Sequence, residues 1–523
     1  MSTSANVTAS RPHPSPLPKG EGIRVFLAFA VTACLLAGGS FAFAAGELTL
    51  TIVDPATNKP IPCRMHLRND KDRPQRVAKT IAWDDHFVFP GTVKLKLPRG
   101  TYHYKIEHGP EYLKADGYFV MEDQSKDDKV FHLKRAYDMA NEGWWSGDLH
   151  VHRPIKDAEL LMRADDLHVA SIVTWSEKKT EWARKPPPAD TVKRFDGNRY
   201  YDLVAGESVG AGGTLLFLNL QKPLAASESP DSQLNLLSAA REQEAAWIDA
   251  SRVTAWDLPL WLATGRVDSI ELCDDQFCRT ATHEDPTGRP RDERSGGPAG
   301  VGSWSHEIYY HVLNCGLRIP PTAGSGTGEA PNPLGYNRVY VWVDKENFTY
   351  DAWWKGLRLG RAVVTNGPLI CPFANGRQPG HVFQAAEGEQ ITFEVGLNFA
   401  TQEPISYFEL VKDGRVAQSL RYDELAQTGR FPPLEFDASG WFLVRAVTDN
   451  EDTYRFATSA PWYVEIGEKR KPVSKDSAQF FLDWLDERRQ AIEGSDRPES
   501  DQSKKMWTEA KEYWERLVAE GEE

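Results

Sequence analysis

The hydrophobic residues of this chain change their spacing along the sequence, and this change of period limits the folds that the chain can adopt. Between residues 46 and 140, apolar and polar residues alternate in short runs. Val93, Leu95 and Leu97 are separated by single lysines, and a Pro-Arg-Gly turn then leads into a second alternating run. Successive side chains of a β-strand point to opposite faces of its sheet. The pattern therefore predicts a small antiparallel β-sandwich.

Residues 141–370 follow a different pattern, in which strand-like runs alternate with helical spacing. Residues 146–152 have the composition of a strand, and residues 304–314 have the spacing of a helix. We also expect a helix from Leu236 to Trp247. Alternating β and α elements predict a mainly parallel sheet. The length of the segment suits an irregular (β/α) barrel.

Residues 371–468 return to strand alternation. They include Asp413-Gly414, a dipeptide typical of a hairpin turn. This pattern favours an Ig-like β-sandwich. In residues 469–523, the apolar residues have helical spacing, which predicts C-terminal helices. The chain has 523 residues, whereas a single hydrophobic core rarely grows past about 250–300 residues. We therefore expect a multidomain protein with a β-sandwich on each side of an α/β barrel.

The N-terminus carries a basic residue followed by a long apolar run. Arg24 precedes an uncharged segment from Val25 to Ala45, and Ala42-Phe43-Ala44 has the small-x-small pattern of a cleavage site. This indicates that residues 1–45 comprise a secretory signal peptide and a preceding segment. We expect an exported protein, periplasmic or extracellular. An uncleaved membrane anchor and lipid attachment at Cys34 are the alternatives.

Charge and cysteine content narrow the class of partner. The formal net charge is −14, which disfavours a nucleic-acid partner, because such a partner needs a basic patch. Beyond residue 45, no apolar run approaches the ~18 residues of a membrane span. We therefore expect a small-molecule or glycan substrate and no membrane span in the mature chain.

A Cys273–Cys278 disulfide is possible in an oxidising compartment, and buried free thiols are the alternative.

One short motif suggests metal chemistry. Residues 147–152 read Gly-Asp-Leu-His-Val-His at the end of the first strand of the α/β segment. In a strand, side chains two positions apart point to the same face. His150 and His152 would therefore leave the sheet together, where two imidazoles can share one metal ion. A His-x-His pair is a weak signal on its own, because such pairs also occur by chance.

The order of segments around this pair resembles the PHP superfamily, and within it the CehA/McbA-like metallohydrolases, over roughly residues 46–370. "GDLHVH" is similar to the opening metal motif of that family, "YYDLVAGES" to the strand that carries a glutamate ligand, and "GRVDSIEL" and "GLRLGRAVVTNGP" to later elements. The segment around "LPRGTYHYKI" resembles carboxypeptidase-regulatory-like modules. The first resemblance implies a PHP-like irregular barrel and a metal-dependent hydrolase of an ester, carbamate, amide or phosphoester.

The sequence departs from that family at several ligand positions. Thr174-Trp175-Ser176 stands in place of Asp-His-Asn, and residues 323–327 replace a Ser-Asp-x-His strand end. Trp256-Asp257 stands where the family has His-Pro. Only His150, His152 and Glu207 match ligand positions, so the resemblance implies a reduced metal site.

The matched residues suffice for one metal ion. Two histidines, a carboxylate and a water form a known catalytic zinc shell, so Zn is the expected ion, with Mn or Fe as alternatives. Asp148 is a candidate to orient one of the imidazoles. Asp257 is a candidate general base, provided that it lies within hydrogen-bond reach.

Two functions are therefore predicted, from different classes. The first is a secreted metal-dependent hydrolase that uses His150, His152 and Glu207. The second is a non-catalytic PHP-like protein that binds a glycan or a cell-envelope component. For the second function, Trp144, Trp145, Trp175, Trp256 and Trp261 offer aromatic faces that stack on sugars, although packing is the more common role of such residues. The glycine-rich segment 324–328 is a candidate anion-binding loop.

Overall fold

The computed structural model describes residues 45–225, 232–291, 296–467, 470–493 and 500–522. The predicted signal peptide and Cys34 lie outside these ranges. The described residues belong to one compact unit. Within the described ranges, no helix has both the length and the apolar character that a membrane crossing requires.

The first part of the unit is two β-sheets around one hydrophobic core, as the alternating pattern predicts. One sheet has the order β2–β1–β6, with β9 parallel to β1, and the other is antiparallel in the order β4–β5–β3–β7–β8. Leu50 and Leu95 from the first sheet share a buried core with Met65 and Phe87 from the second. The strands are β1 (Gly46–Asp54), β2 (Lys59–Pro60), β3 (Cys63–Asn69), β4 (Ile81–Trp83), β5 (His86–Phe89), β6 (Thr92–Leu97), β7 (Gly100–Glu107), β8 (Ala115–Met121) and β9 (Lys126–His132).

The middle part alternates strands with short helices. Its strands are β10 (Trp144–Val151), β11 (Val169–Trp175), β12 (Val192–Phe195), β13 (Arg199–Gly210), β14 (Gly213–Leu218), β15 (Trp247–Ala250), β16 (Ser269–Cys273), β17 (Pro321–Ala323), β18 (Arg338–Trp342) and β19 (Ala362–Thr365). Its α-helices are α1 (Ala158–Ala164), α2 (Ser232–Ala240), α3 (Leu258–Ala263), α4 (Gly297–Asn314) and α5 (Tyr350–Arg358).

These strands form a mixed sheet in the order β17–β16–β15–β14–β13–β11–β10–β18–β19. The pairs β10–β11, β11–β13, β15–β16 and β16–β17 are parallel, whereas β13–β14, β14–β15 and β10–β18 are antiparallel. The predicted mainly parallel sheet is therefore only partly present. The sheet curls, because β17 at its edge contacts β10, β18 and β19. This curl brings the loop after β17 against the end of β10.

The helix expected from Leu236 to Trp247 is shorter than predicted. Helix α2 ends at Ala240, and Trp247 begins strand β15. The indole Nε1 of Trp247 donates a 2.6 Å hydrogen bond to Ser269 Oγ on the neighbouring strand. Beyond the end of α2, the buried side-chain oxygen of Gln243 accepts a 2.8 Å bond from the backbone N–H of Gln221. Tertiary contacts outweigh the helical spacing at this point.

The third part continues the same sheet. Strand β28 pairs with β19, and the order runs on through β27, β24 and β25. Smaller pairs, β20–β23 and β22–β26, cover a second core that includes Phe393, Phe442 and Trp462. The elements are β20 (Leu369–Ala374), β21 (Val382–Ala385), β22 (Ile391–Phe393), β23 (Val395–Ala400), β24 (Ile405–Lys412), β25 (Arg415–Leu420), α6 (Tyr422–Thr428), β26 (Leu434–Phe436), β27 (Gly440–Thr448), β28 (Phe456–Ser459) and β29 (Trp462–Ile466).

The predicted hairpin turn is confirmed. Asp413 and Gly414 connect β24 to β25, and both have positive φ angles, 51° and 87°. The type I′ turn that joins tightly connected antiparallel strands requires this backbone geometry at both central positions. Asp and Gly adopt it at low cost, so the local sequence determines the register of this hairpin.

The chain ends in two helices, as their spacing predicts. Helices α7 (Lys475–Glu493) and α8 (Asp501–Glu520) pack against each other and against α3. The indole Nε1 of Trp514 donates a 3.0 Å bond to the backbone carbonyl of Pro259. The pair therefore closes the side of the middle part that carries α3.

The cysteines of the described residues are buried free thiols. Cys273 and Cys278 do not form the disulfide that the sequence leaves open. Burial raises the pKa of both thiols above the ordinary value. They behave here as small apolar side chains.

Candidate metal centre

The strand register brings the two motif histidines together. All residues of β10 are buried, and His150 lies near its end, with His152 just beyond. The imidazole rings have centroids 4.9 Å apart. Strand β13 runs parallel to β11, which in turn runs parallel to β10. Glu207 on β13 therefore reaches the same end of the sheet as the histidines.

One ligand atom from each of His150, His152 and Glu207 lies within 4.8 Å of the other two. Glu207 Oε2 is 3.7 Å from His150 Nε2 and 3.6 Å from His152 Nε2. Ligands of a tetrahedral zinc ion with bonds of ~2.0–2.1 Å lie roughly 3.3–3.5 Å apart. The two measured distances exceed this separation by only a few tenths of an ångström, so the donor set fits a small divalent ion.

The second nitrogen of His150 faces a buried carboxylate on another strand. Glu271 on β16 is fully buried, and its Oε2 lies 3.4 Å from His150 Nδ1. Ser251 Oγ donates a 2.9 Å hydrogen bond to the same oxygen and lies 3.4 Å from Nδ1. Such a contact selects the tautomer that leaves Nε2 free as a ligand. Sequence reasoning missed Glu271, although a carboxylate between Ile270 and Leu272 in a buried strand was a signal.

The cluster carries opposing charges. Burial acts to lower the pKa of His150, but Glu271 and Glu207 outweigh it and hold that pKa well above its ordinary value. Burial and the nearby His150 lower the pKa of His152 to about 4. Burial acts to raise the pKa of Glu207, yet its contacts with the two histidines lower it. The neighbouring carboxylates therefore favour a proton on His150, whereas His152 favours the neutral form that binds a metal ion.

Asp148 supports the backbone of the site, and within the described residues it makes no hydrogen bond or ion pair with the imidazole rings. Its Oδ1 accepts hydrogen bonds from the N–H groups of His150 (3.2 Å) and Ser325 (3.0 Å). Its Oδ2 accepts bonds from Ser325 Oγ (2.5 Å) and the Gly335 N–H (2.7 Å). The predicted role of orienting a ring thus falls to Glu271. Asp148 instead ties the end of β10 to the loop after β17.

Asp257 lies away from the cluster. It precedes α3 and accepts a 2.7 Å hydrogen bond from Arg488 Nε of α7. Within the described ranges, no hydrogen bond or ion pair joins Asp257 to the three matched ligands. Its predicted role as general base is therefore unsupported by its position. Glu329 is nearer: its Oε1 lies 3.7 Å from His152 Nδ1, and its side chain is 67% exposed.

The glycine-rich segment 324–328 serves the packing of the site. Its N–H groups are already used: Ser325 donates to Asp148, and Gly326 donates a 2.9 Å bond to the His150 carbonyl. The prediction of an anion-binding loop is therefore wrong for these groups. A Cβ on Gly324 would lie 2.1 Å from Glu271 Oε1 and 2.3 Å from the Cβ of His150. Only glycine at this position lets Glu271 and His150 approach each other.

The tryptophans near the motif are core residues. Trp144, Trp145, Trp175 and Trp261 are each at most 5% exposed. Trp175 lies over Gly206, where any Cβ would clash with its ring, and its indole Nε1 donates a 2.8 Å bond to the Val204 carbonyl. Packing, the role that the sequence favours for such residues, is therefore confirmed for these four, whose burial leaves no face for a sugar.

A second group of metal-ligand types lies in the N-terminal sandwich. His66, Asp85 and His86 also place one ligand atom each within 4.8 Å of one another. However, Asp85 Oδ2 accepts bonds from Arg68 (3.0 Å) and Arg279 (2.6 Å). A cation bound there would face two fixed guanidinium charges. The group around His150 is therefore the better metal site.

Comparisons with known proteins add no relative. No family model matches the chain, and no curated protein matches it. The Bacillus anthracis TIE protein is 20% identical over 22% of this chain and 20% of its own length, with a TM-score of 0.15. The fibronectin(III)-like modules of Clostridium thermocellum CbhA are 18% identical over 26% of this chain and 62% of theirs, with a TM-score of 0.14. This chain thus spans under two thirds of each protein, and matches this weak carry no argument about fold or function.

Proposed function

We propose that the chain is a metal-dependent hydrolase of the PHP-like, CehA/McbA-like type, in which His150, His152 and Glu207 hold one divalent ion, zinc first. The observation that carries the proposal is the convergence of these three side chains from the end of β10 and from β13, with ligand atoms within 4.8 Å of one another. The curled sheet, in which β10, β11 and β13 run parallel, supports the same family.

The chain's own residues prepare the site for such an ion. Metal binding requires His150 to lose the proton that its carboxylate neighbours favour on the ring. Glu271 and Ser251 contact Nδ1, so Nε2 is the nitrogen that loses it. Asp148 fixes the backbone of His150 from within the core.

The substrate class follows from the chemistry of such a site. A divalent ion bound by two imidazoles and one carboxylate keeps an open position, lowers the pKa of a bound water and polarises an ester, carbamate, amide or phosphoester. Glu329 at the exposed rim is the carboxylate best placed to exchange a proton with solvent. It takes the role of general base that the sequence suggested for Asp257.

Metal analysis of the purified protein tests this proposal. We expect stoichiometric Zn, Mn or Fe by plasma mass spectrometry, and turnover in a panel of aryl esters, amides and phosphodiesters. His150→Ala and His152→Ala should lose both the metal and the turnover while retaining the circular dichroism spectrum of the wild type. His103→Ala changes an exposed histidine of β7 and is the matched control.

The same experiment separates hydrolysis from binding alone. A wild-type protein that carries no stoichiometric metal and turns over no substrate in the panel would overturn the enzyme proposal. Metal without turnover would leave a metal-containing binding protein, the second function that the sequence predicts.

A further inference from the structure

A buried arginine of β18 has no carboxylate partner. Arg338 is 1% exposed. Its Nε donates a 2.5 Å bond to the Gly335 carbonyl and its Nη2 a 3.2 Å bond to the Asp165 carbonyl. Its Nη1 has no hydrogen-bond partner, and no carboxylate oxygen of the described residues lies within 4.0 Å of its guanidinium nitrogens. The carboxylates of Asp165 and Glu111 attract this charge without bonding to it. Its unpaired Nη1 is therefore a buried donor that a directly bonded anion would satisfy.

Arg338 lines a cavity of about 100 Å³, formed where the N-terminal sandwich, the middle part and the C-terminal sandwich meet. A water molecule needs ~10–15 Å³ by the same measure, so there is room for a small organic molecule. The basic residues of its wall are Arg64, Lys105, Lys114, Arg279, Arg338 and Arg455, against the acidic Glu107, Asp165 and Glu403. The wall is thus net positive in a chain whose net charge is −14.

Other polar atoms of the wall also have no partner. Arg455 Nε, Thr448 Oγ1 and Tyr336 Oη are buried without a hydrogen bond, and so is Glu403 Oε2. Thr448 is only 6% exposed. Buried polar groups in proteins are nearly always satisfied by protein, water or ligand. Arg455 and Glu403 already form an ion pair through Nη1 and Oε1, so only Nε and Oε2 are available to a ligand. The unpaired donors of Arg338, Arg455 and Thr448 suit an anion, and Glu403 Oε2 suits a hydroxyl or amino group.

We propose that this cavity is a second ligand site, which binds a small metabolite with a carboxylate or phosphate group on Arg338 and Arg455 and a hydroxyl or amino group near Glu403. Guanidinium groups bind both kinds of oxyanion through paired, charge-assisted hydrogen bonds. The proposal is independent of hydrolysis, because none of the three predicted metal ligands lines this cavity.

The site also has a structural connection to the metal centre. The carbonyl of Gly335 accepts the bond from Arg338, and the N–H of the same residue donates to Asp148. Asp148 in turn accepts from the N–H of His150. Two hydrogen bonds, both made by Gly335, therefore link Arg338 to Asp148, the residue that anchors the backbone of His150.

Calorimetric titration tests the proposal with inorganic phosphate, glycerol phosphate, malate and serine as probes. A chelator is present throughout, so that no probe binds through a metal ion. We expect saturable binding by at least one probe. Arg338→Gln should weaken it about tenfold to a hundredfold, the usual cost of a lost charge-assisted contact. The preferred probe distinguishes carboxylate from phosphate.

A milder pair of variants keeps the test decisive if Arg338→Gln fails to fold. Thr448→Val is isosteric and removes the unpartnered hydroxyl of the wall, so binding should weaken about threefold to tenfold. Thr458→Val removes a buried hydroxyl outside the wall, which donates to the Val444 carbonyl, and should leave binding unchanged. Absence of saturable binding of every probe to the wild type, or equal affinities in Thr448→Val and Thr458→Val, would overturn the proposal.

Discussion

Glu271 Oε2 lies 3.4 Å from Nδ1 of His150, although the two residues belong to β16 and β10, which are not neighbours in the sheet. The contact exists because the sheet curls and because Gly324 leaves room for it. A carboxylate behind a metal-binding imidazole fixes the ring and raises its basicity as a ligand. We therefore expect this pair to influence the metal affinity of the proposed site.

Glu271→Gln should weaken metal binding about tenfold to a hundredfold, since the amide keeps the shape of the side chain but loses its charge. Competition with a chromophoric chelator measures the affinity. Glu394→Gln changes an exposed carboxylate of the C-terminal sandwich and serves as the control. Equal metal affinities in the wild type and Glu271→Gln would show that Glu271 has no part in the site.

Asp257→Asn should lower the free energy of unfolding by about 1–3 kcal/mol, because it removes the negative charge from a mostly buried ion pair with Arg488. Urea denaturation measures the change. Metal content should stay at the wild-type level, since the pair lies away from His150. The double variant Asp257→Asn/Arg488→Met should lose less stability than the sum of the losses in the two single variants, because both single variants break the same pair. Loss of metal with unchanged stability would instead return Asp257 to the site.

Stability should fall on acidification, in part through His306. Burial lowers the pKa of His306 from 6.5 to about 3. Between these two pH values, the unfolded chain binds a proton at this residue that the folded chain does not. The free energy of unfolding therefore decreases as pH falls through this window, by about 1.4 kcal/mol per pH unit for one such group.

His306→Phe tests this contribution, because the ring lies among Phe456, Tyr454 and Tyr310 and phenylalanine preserves the aromatic packing. Urea unfolding at a series of pH values should show a slope reduced by about one proton relative to the wild type. His103→Gln, at an exposed position, should keep the wild-type slope. An unchanged slope in His306→Phe would contradict the prediction.

Export remains a prediction from residues 1–45. We expect the mature protein outside the cytoplasm with its N-terminus near Ala45, because the apolar run ends there in a cleavage pattern. Cell fractionation and intact mass measure both properties. A full-length chain in the cytoplasm would contradict the signal peptide, and a mass increase from a diacylglyceryl group at Cys34 would favour the lipid anchor.

The sequence by itself determined the features that depend on local backbone geometry. His150 and His152 share a face because side chains in a strand repeat every two residues. Asp413-Gly414 makes its hairpin because both residues adopt positive φ angles. The alternation of the flanking segments likewise predicted their sheets, since a half-buried strand must separate apolar from polar residues.

Only the tertiary structure decided the contacts between distant segments. It placed Glu271 beside Nδ1 of His150, paired Asp257 with Arg488, and joined β19 to β28 in one continuous sheet. It also ended α2 at Ala240, where a helical pattern continued. Each outcome depends on which strands pair, how the sheet curls and which charges are buried together. The spacing of residues along a chain does not specify these properties, because they are set by the free energy of packing the whole fold.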